Sequence, residues 1–186
     1  FVKISVITAA YKSKATVGEA IASVAAQTHP DVEHLVIEGN SDDGTLEAIE
    51  RAGHDRMRLI SEPDDGIYDA LNKGVRNATG DVLGFIHSDD FLAHDGVLAR
   101  IASAFEDPAV EAVFSDLVYV SQADTSRVIR HWSTGAFHPR RLKYGWMPAH
   151  PTLYLRREVY ERFGTYDNNM RIAADYDFIL RYFSQA

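Results

Sequence analysis

The sequence predicts a three-layer α/β fold with a central, mostly parallel sheet. Short apolar segments rich in β-branched residues alternate with segments whose apolar residues recur at helical spacing, and the connections between them are short. The 186 residues are 46% hydrophobic and 25% charged, which is ordinary for one globular domain with a sizeable core. Disordered, collagen-like and disulfide-scaffold proteins are therefore excluded.

The first half of the chain predicts four strands, each followed by a helix. The strands are apolar segments that end in polar turns, at Lys3–Ala9, Glu33–Ile37, Met57–Ser61 and Asp81–His87. The helices are predicted from apolar residues three or four positions apart, over residues 16–25, 45–52, 67–78 and 97–105. This alternation is typical of a parallel sheet that is covered by helices.

The second half predicts a different arrangement. Strands are expected at Val110–Val120 and Arg127–Trp132, around a turn at Gln122–Thr125, and a third strand is expected at Thr152–Arg156. Helices are expected at Arg157–Phe163 and Asp175–Phe183, and the basic, aromatic stretch Phe137–Gly145 is expected to be irregular. The chain starts at Phe1 and stops just after an apolar segment, so we expect an incomplete C-terminus.

Composition and missing motifs argue against several functions. Without cysteine the chain has no disulfide, cysteine zinc site, iron–sulfur cluster or thiol nucleophile. A formal charge of −8 argues against nucleic-acid binding. The absence of GxGxxG after the first strand and of a GxxxxGKS or GxxxxGKT segment disfavours a dinucleotide-binding Rossmann protein and a P-loop NTPase.

Polar side chains follow all four strands of the first half. The four polar segments are Thr8–Tyr11, Glu38–Gly44, Glu62–Gly66 and His87–Asp90. Ligands of open parallel sheets bind beyond the carboxyl ends of the strands, so these segments should converge on one edge of the sheet. Their convergence predicts a ligand site more strongly than any single motif does.

Asp89 and Asp90 are the candidate metal ligands. Adjacent carboxylates raise each other's proton affinity, and a divalent cation relieves that repulsion. Mg²⁺ and Mn²⁺ take few carboxylates together with substrate phosphate oxygens, so an acidic cleft favours a metal–diphosphate ligand over a bare anion. An isolated Ser-Asp-Asp is better explained as a turn with a helix N-cap, but the three other acidic strand ends favour the metal.

Four other residues have both a binding and a structural interpretation. Glu38 can accept hydrogen bonds from a nucleobase or a ribose, whereas Asn40–Asp43 can simply cap the next helix. Tyr11 can stack on a base or be an ordinary surface tyrosine. Asp69 and Asn72 lie on the polar side of a predicted helix, which in most proteins is only a solvated face.

Two residues of the second half carry possible chemistry. Asp175 opens the last predicted helix, where a carboxylate can be an N-cap or a general base, and the nearby Asp177 leaves the choice between the two open. His150 precedes a proline, and a lone histidine is usually structural. Near a metal–phosphate site it can instead be a ligand or a hydrogen-bond donor.

Taken together, the motifs resemble the nucleotide-sugar-dependent family 2 inverting glycosyltransferases, which have the three-layer αβα GT-A fold. The resemblance covers nearly all of the chain, and the order and spacing of its segments are specific although each segment alone is weak. The segments are ISVITAAY, VIEGNSDDGT, SEPDDGIYDALNKGV, ATGDVLGFIHSDD, HPTLYLRREVYERFGTYD and AADYDFILR.

The resemblance implies a role for each matching residue. The residues implied to contact or border the nucleotide and its diphosphate are Thr8, Tyr11, Glu38, Asp65, Asp69, Asn72, Ser88 and Asp89. Asp89 and Asp90 match the DxD-type motif for Mn²⁺ or Mg²⁺, and Asp175 matches the catalytic base. His150 matches a histidine near the acceptor side and is a third candidate metal ligand.

Three positions depart from the usual family residues. Glu38 replaces an Asp and reaches one methylene further, which alters its contacts to the base. His87 stands where a stricter DxD motif has its first Asp. Asp65 stands where a basic residue is frequent, which weakens the case for a diphosphate contact there.

The implied reaction is an inverting transfer from a nucleoside-diphosphate sugar. The acceptor hydroxyl attacks the anomeric carbon in one displacement, Asp175 accepts its proton, and a divalent cation stabilises the leaving diphosphate. Residues 1–186 would form a single glycosyltransferase domain, with residues 1–90 binding the donor and residues 91–186 binding the acceptor. We expect a cytoplasmic protein that touches the inner membrane surface if its acceptor is lipid-linked.

The acceptor side is assigned to an aromatic and basic stretch. Its members are Trp132, Phe137, Arg140, Arg141, Lys143, Tyr144 and Trp146. These residues suit a glycan or a lipid-linked, phosphate-bearing acceptor. A solubilised hydrophobic patch or an oligomer interface explains them nearly as well.

Three alternatives compete with the transferase. A sugar-1-phosphate nucleotidyltransferase needs a glycine-rich loop after the first strand, which TAAYKSKAT lacks. A catalytically weak nucleotide-sugar-binding or regulatory module would explain Glu38 and His87, but Asp89, Asp90 and Asp175 argue against it. In a purely structural domain, the acidic strand ends would only cap helices.

Overall fold

The computed structural model describes residues 1–185, which form an α/β fold around a six-stranded sheet. The four strands of the first half are β1 (Ile4–Ala10), β2 (Val32–Glu38), β3 (Met57–Ser61) and β4 (Val82–Phe85). The second half adds β5 (Ala112–Val113) and β8 (Tyr154–Arg156). The strand order is β3-β2-β1-β4-β8-β5; the first four strands are parallel, and β8 is antiparallel to both of its neighbours. The predicted mostly parallel sheet is confirmed.

Helices pack on both faces of this sheet. They are α1 (Val17–Ala25), α2 (Thr45–Ala52), α3 (Ile67–Asn77), α4 (Val97–Ala104), α5 (Pro139–Leu142), α6 (Arg157–Phe163) and α7 (Ala174–Phe183). Successive residues of β1 point to opposite faces, so Val6 packs with the α1 and α4 side chains while Ile7 packs with those of α3 and α7. Each such buried aliphatic side chain stabilises the fold by about 1.5–3 kcal/mol.

The segment predicted as one strand at Val110–Val120 forms two separate strands. Its first part is β5 in the main sheet, and its second part is β6 (Leu117–Ser121), which pairs only with β7 (Asp124–Trp132) in a hairpin. The chain leaves the sheet at Ser115 and Asp116, whose polar groups bond to Thr134 and Thr152. These partners are distant in sequence, so the apolar pattern alone does not show the break.

The rest of the second half agrees with the predicted order in outline. The stretch that was predicted to be irregular contains the short helix α5, because His138 accepts a hydrogen bond from the amide of Arg140 and Pro139 starts the helix. A single 3-10 turn at His150–Thr152 precedes β8. Among residues 1–185, no helix combines the length and the apolar character needed to cross a membrane.

The strand register brings the four polar loops to one edge. Ala10 lies opposite Glu38, Glu38 lies opposite Ser61, and Ile7 lies opposite Phe85. The last residues of β1, β2 and β3 therefore lie side by side, whereas β4 ends beside Ile7, three residues before the end of β1. The chain leaves all four strands at the same edge of the sheet, and residues from all four loops line one cleft there. The predicted convergence of the polar strand ends is confirmed.

Candidate active site

An open cleft of about 710 Å³ lies beyond the carboxyl ends of the parallel strands and beside the start of α3. The side chains that line it include Tyr11, Asn40, Asp64, Ile67, Ser88 and Asp89. This volume lies within the range of small-molecule and cofactor sites. The cleft also occupies the place where α/β folds of this kind bind their ligands.

The predicted nucleotide ligands divide into two groups. Tyr11, Ser88 and Asp89 line the cleft, and Tyr11 is 59% exposed, so its ring is free to stack on a base. The other five are Thr8, Glu38, Asp65, Asp69 and Asn72, and none of these five lines it. Each of the five has a partner within the chain that accounts for its position.

Thr8 is fully buried in β1, with its hydroxyl 3.0 Å from Nε2 of His34 on the neighbouring strand. The other ring nitrogen of His34 lies 3.2 Å from Nε2 of His54. Burial, assisted by the nearby His54 and Arg56, lowers the pKa of His34 to about 3, so this ring is neutral. The Thr8 side chain therefore belongs to a buried polar pair and does not line the predicted nucleotide pocket.

Glu38 is also fully buried, and its carboxylate organises the loop after β2. It accepts hydrogen bonds from the amides of Asn40 (3.1 Å) and Ser41 (2.6 Å) and from the hydroxyl of Ser61 (2.6 Å). Burial opposes ionisation, but the hydrogen bonds from Ser41 and Ser61 hold the pKa of Glu38 below its usual range. The side chain that was predicted to contact a base thus shapes the loop that carries Asn40 into the cleft.

Asp43 has a structural contact in the same loop, at the start of α2. Its carboxylate accepts hydrogen bonds from the amide (3.0 Å) and the hydroxyl (2.6 Å) of Thr45, the first residue of α2. The predicted capping of this helix by Asn40–Asp43 is not observed, because the N-cap residue is Gly44 and no side chain caps the helix.

Asp69 and Lys73 form a charged pair one turn apart on α3, with 3.3 Å between Oδ2 and Nζ. Lys73 also lies 3.1 Å from a carboxylate oxygen of Glu62, and Asp69 accepts a hydrogen bond from the amide of Asp65 (3.3 Å). Burial opposes ionisation of Asp69, but the Asp65 amide and Lys73 hold its pKa below the usual range. Asp65 and Asp69 thus brace the loop before α3.

Asn72 is buried and turned away from the cleft. Its amide nitrogen donates to the carbonyl of Tyr166 (2.8 Å) and to Oδ1 of Asn168 (2.7 Å), while its Oδ1 accepts from the amide of Tyr166 (3.0 Å). All of these partners belong to the irregular segment that leads into α7.

Asp89 and Asp90 end the β4 loop, with Asp89 exposed and Asp90 half-buried. Burial and the neighbouring Asp89 raise the pKa of Asp90, although His87 opposes the shift. Among residues 1–185, neither carboxylate forms an ion pair, and no three His, Asp or Glu side chains are grouped to hold a metal ion. Two unpaired carboxylates fit a cation such as Mg²⁺ or Mn²⁺ whose remaining ligands are phosphate oxygens and water.

The contacts of His150 do not support its predicted role as a metal ligand. Its Nε2 lies 3.0 Å from the hydroxyl of Tyr166, and its ring stacks between Phe85 (5.4 Å between centroids) and His87 (5.7 Å). Burial and the adjacent His87 lower the pKa of His150 to about 4, so the ring is neutral. Its position agrees with the alternative interpretation of a structural histidine, beside the β4 loop.

Asp175 lies in the first turn of α7, and its Oδ1 accepts a hydrogen bond of 3.0 Å from the hydroxyl of Tyr68. Tyr68 follows Ile67, which lines the cleft, so Asp175 contacts the residue next to the cleft wall although it does not itself line the cleft. Asp177 is instead paired with Arg181 on its own helix, with 2.9 Å between Oδ2 and Nε. Of the two carboxylates between which the sequence leaves the choice open, the geometry favours Asp175 for chemistry in the cleft.

Comparison with known families agrees with this geometry. The family model described as glycosyl transferase family 2 matches residues 5–172, which is most of the chain. The chain belongs to glycosyl transferase family 2.

The relatives that this chain matches are longer proteins, of which it covers only a part. A PGL/p-HBAD biosynthesis glycosyltransferase of Mycobacterium bovis is 36% identical over 165 residues, which are 87% of this chain and 62% of that protein. Chondroitin synthase of Pasteurella multocida is 26% identical over 180 residues, which are 96% of this chain and 18% of that protein. The chain therefore spans about three fifths of the first relative and a small part of the second.

Solved structures show the same fold at low sequence identity. TarS of S. aureus in complex with UDP-GlcNAc superposes with a TM-score of 0.76 at 18% identity, over 97% of this chain and 53% of that chain. The mannosyltransferase PcManGT of Pyrobaculum calidifontis, in complex with GDP-Man and Mn²⁺, gives a TM-score of 0.70 at 22% identity, over 94% and 49% of the two chains. The predicted GT-A fold is confirmed.

Two residues of this family 2 domain were not singled out from the sequence. Tyr68 contacts Asp175, and Tyr166 contacts both His150 and Asn72. The available signal was the spacing of Tyr68 and Asn72, which are four residues apart and so lie on one face of α3. Their partners lie 94 to 107 residues further along the chain, which no local pattern shows.

Proposed function

We propose that this domain transfers a sugar from a nucleoside-diphosphate sugar to an acceptor hydroxyl, with inversion at the anomeric carbon. The observation that carries the proposal is the pair of Asp89, on the wall of the cleft, and Asp175, which is bonded to Tyr68, the residue after the cleft-lining Ile67. Membership of family 2 supports the class of reaction. The nucleotide sugars named for TarS and PcManGT support the class of donor.

The donor would lie along the strand ends. Tyr11 offers an exposed ring for the base, and the loop residues Gly39 and Asn40 line the cleft next to it. Asp89, with Asp90, would hold a divalent cation against the diphosphate. When bound there, the cation supplies Lewis-acid stabilisation of the charge that develops on the leaving group.

Asp175 is the proposed general base. An unactivated hydroxyl is a poor nucleophile, so a carboxylate that accepts its proton as the new bond forms accelerates attack by about 10²- to 10⁴-fold. The acceptor oxygen bonds to the anomeric carbon while the bond from that carbon to the diphosphate oxygen breaks. One displacement of this kind inverts the configuration.

The acceptor is proposed to be a lipid-linked molecule presented at an anionic membrane surface. Of the 19 Lys and Arg residues, seven lie between residues 125 and 157, a stretch that contains no Asp or Glu. The other 12 share the rest of the chain with all 27 Asp and Glu residues. Within the stretch, Arg127, Arg130, Arg140, Arg141 and Lys143 are exposed and, in the part of the chain that is described, form no ion pair. We call these five residues, which lie in one stretch of the sequence, the basic face.

Nucleotide binding and donor turnover test the proposal in one panel. Calorimetric titration with UDP and with GDP, each with and without Mn²⁺, should show metal-dependent binding of one of them. Asp89→Ala should weaken that binding at least tenfold, because the bridge to the diphosphate is lost. Asp95→Ala, which removes an exposed carboxylate outside the cleft, should bind as the wild type does.

Asp175→Asn separates catalysis from binding. It should bind the same nucleotide with unchanged affinity while release of nucleoside diphosphate from the matching sugar donor falls by about 10²- to 10⁴-fold. If this variant turned over the donor at the wild-type rate, Asp175 would not be the base. Nucleotide binding without turnover in the wild-type protein would identify a binding module instead of a transferase.

A further inference from the structure

One face of α3 is tied to the segment that carries Asp175. The hydroxyl of Tyr68 donates to Oδ1 of Asp175 (3.0 Å), and one turn later Asn72 bonds to both the amide and the carbonyl of Tyr166. Asn168, in the same segment, accepts a further hydrogen bond from Asn72 (2.7 Å). Helix α3 of the donor half therefore contacts the start of α7 and the chain that precedes it.

The contacts of Asn72 use its whole side-chain amide. Residues 164–173 form neither helix nor strand, so their backbone groups need partners from elsewhere in the fold. By donating to the carbonyl of Tyr166 and accepting from its amide, Asn72 binds the backbone as a neighbouring strand would. Since Asn72 is only 3% exposed, it cannot also touch a ligand in the cleft.

The backbone just before Asp175 needs such support. Ala173 has a left-handed conformation (φ +67°), which is unfavourable for a residue with a side chain and persists only where surrounding contacts hold it. This turn directs α7 so that Asp175 faces Tyr68. Two contacts from α3 thus hold the segment before α7: Asn72 bonds to Tyr166 within it, and Tyr68 bonds to Asp175 just after it.

Tyr68 is suited to be a permanent donor in this contact. Burial and the hydrogen bond to Asp175 raise the pKa of Tyr68, so its hydroxyl keeps its proton at neutral pH. Only Oδ1 of Asp175 receives this hydrogen bond. The second carboxylate oxygen is left to accept a proton from an acceptor.

We propose that Tyr68 and Asn72 are positioning residues that hold the Asp175 carboxylate beside the donor cleft. The proposal rests on the proposed function, in which Asp175 is the base. Both residues are proposed to act through Asp175, because Tyr68 contacts its carboxylate and Asn72 contacts the segment that precedes it. Helix α3 is itself held against the sheet, since Gly74 lets it pack directly against Ile7 of β1.

Tyr68→Phe tests the first contact, because it keeps the ring and removes only the hydroxyl. With the nucleotide sugar that the wild type hydrolyses fastest among UDP-, GDP- and dTDP-sugars, and with water as the acceptor, kcat should fall about 10- to 100-fold. The donor KM and the Kd for the matching nucleoside diphosphate with Mn²⁺ should stay within twofold. Tyr154→Phe is the matched control, since the Tyr154 hydroxyl is buried without a partner and its loss should leave kcat unchanged.

The double variant Tyr68→Phe/Asp175→Asn shows whether Tyr68 acts through Asp175. If it does, the double variant should be no slower than Asp175→Asn alone. The reason is that Asp175→Asn already removes the base that the Tyr68 hydroxyl positions. The proposal would be overturned if the loss in kcat of the double variant equalled the product of the two single-variant losses. It would also be overturned if Tyr68→Phe kept the wild-type kcat while Asp175→Asn was inactive. Wild-type activity of Asp175→Asn would instead overturn the proposed base itself.

Hydrogen exchange tests the Asn72 contacts without any need for turnover. Asn72→Ala should increase the amide exchange rate of the peptide spanning residues 165–176 at least tenfold and leave that of β1 unchanged. Asn72→Ser, whose hydroxyl can make one hydrogen bond and carries no charge, should give an intermediate increase and serves if the alanine variant does not fold. Exchange at wild-type rates in both variants, or a uniform increase throughout the chain, would overturn the positioning role of Asn72.

Discussion

Single residues show how a polar side chain at a strand end can serve the fold instead of a ligand. Glu38 follows an apolar strand and was predicted to contact a base, yet its carboxylate accepts three hydrogen bonds from Asn40, Ser41 and Ser61. The direction of this side chain depends on the loop turning back at Asn40, which has a left-handed backbone (φ +58°). The sequence predicts where Glu38 lies along the sheet edge, but the turn decides what it contacts.

Buried histidines predict a loss of stability in mild acid. The pKa of His34 is lowered to about 3 and that of His150 to about 4, whereas an unfolded histidine titrates near 6.5. Below pH 6.5 the unfolded chain therefore binds protons that the folded chain does not, so the free energy of unfolding falls as the pH falls. Each histidine contributes a slope of about 1.4 kcal/mol per pH unit, down to its folded pKa.

Urea unfolding at pH 7.5 and pH 5.5 measures this effect. The two histidines together should lower the free energy of unfolding by about 3 kcal/mol between these pH values. His34→Gln removes one of them and should reduce the loss by about half, whatever its effect at pH 7.5. Equal stability of the wild-type protein at both pH values would contradict the prediction.

At the scale of elements, helix α3 contacts the cleft, the segment that carries Asp175 and strand β1. Its first residue lines the cleft, Tyr68 and Asn72 hold the Asp175 segment, and Gly74 faces the sheet. A Cβ at Gly74 would overlap the side chain of Ile7, so the helix lies closer to β1 than a larger residue would permit. A glycine in a helix interior is costly, and here the cost is offset by that close packing.

Gly74→Ala tests this account through the sign of its effect. Helix propensity alone would stabilise the variant by about 1 kcal/mol, but overpacking against Ile7 should give a net loss of about 1–3 kcal/mol. Gly18→Ala in α1 is the control, because a Cβ there meets no atom within 4 Å and should be neutral or stabilising. Urea unfolding of both variants checks the prediction, which fails if Gly74→Ala is as stable as the wild type.

The elements also show which parts of the fold a single sequence predicts. The strands β1–β4 and the helices between them follow from apolar periodicity, because each is continuous in sequence and packs on its neighbours along the chain. The division of Val110–Val120 into β5 and β6 does not follow, since it depends on the distant residues Thr134 and Thr152. The contacts that place Asp175 are likewise made between residues about 100 positions apart.

At the scale of the whole molecule, the basic face predicts binding to anionic membranes. Each Lys or Arg near such a surface contributes about 1 kcal/mol, so removing one should weaken binding about fivefold. Arg140→Ala/Lys143→Ala should therefore reduce sedimentation with phosphatidylglycerol-containing vesicles, while Arg51→Ala/Arg100→Ala, which removes exposed arginines elsewhere, should not. Equal binding to vesicles of phosphatidylcholine alone, or an equal loss in both variants, would contradict the prediction.

The uneven distribution of charge also gives the chain a positive stretch within a molecule of formal charge −8. Seven cationic side chains lie in a stretch without a carboxylate, and every Asp and Glu lies outside it. In the field of an anionic surface this stretch is attracted, while the rest of the chain, with its excess of carboxylates, is repelled. The field extends only about 8 Å at physiological ionic strength, so these forces would act in the last moments of approach. Encounters would then be oriented before any contact forms, and added salt would lower the rate of association as well as the affinity.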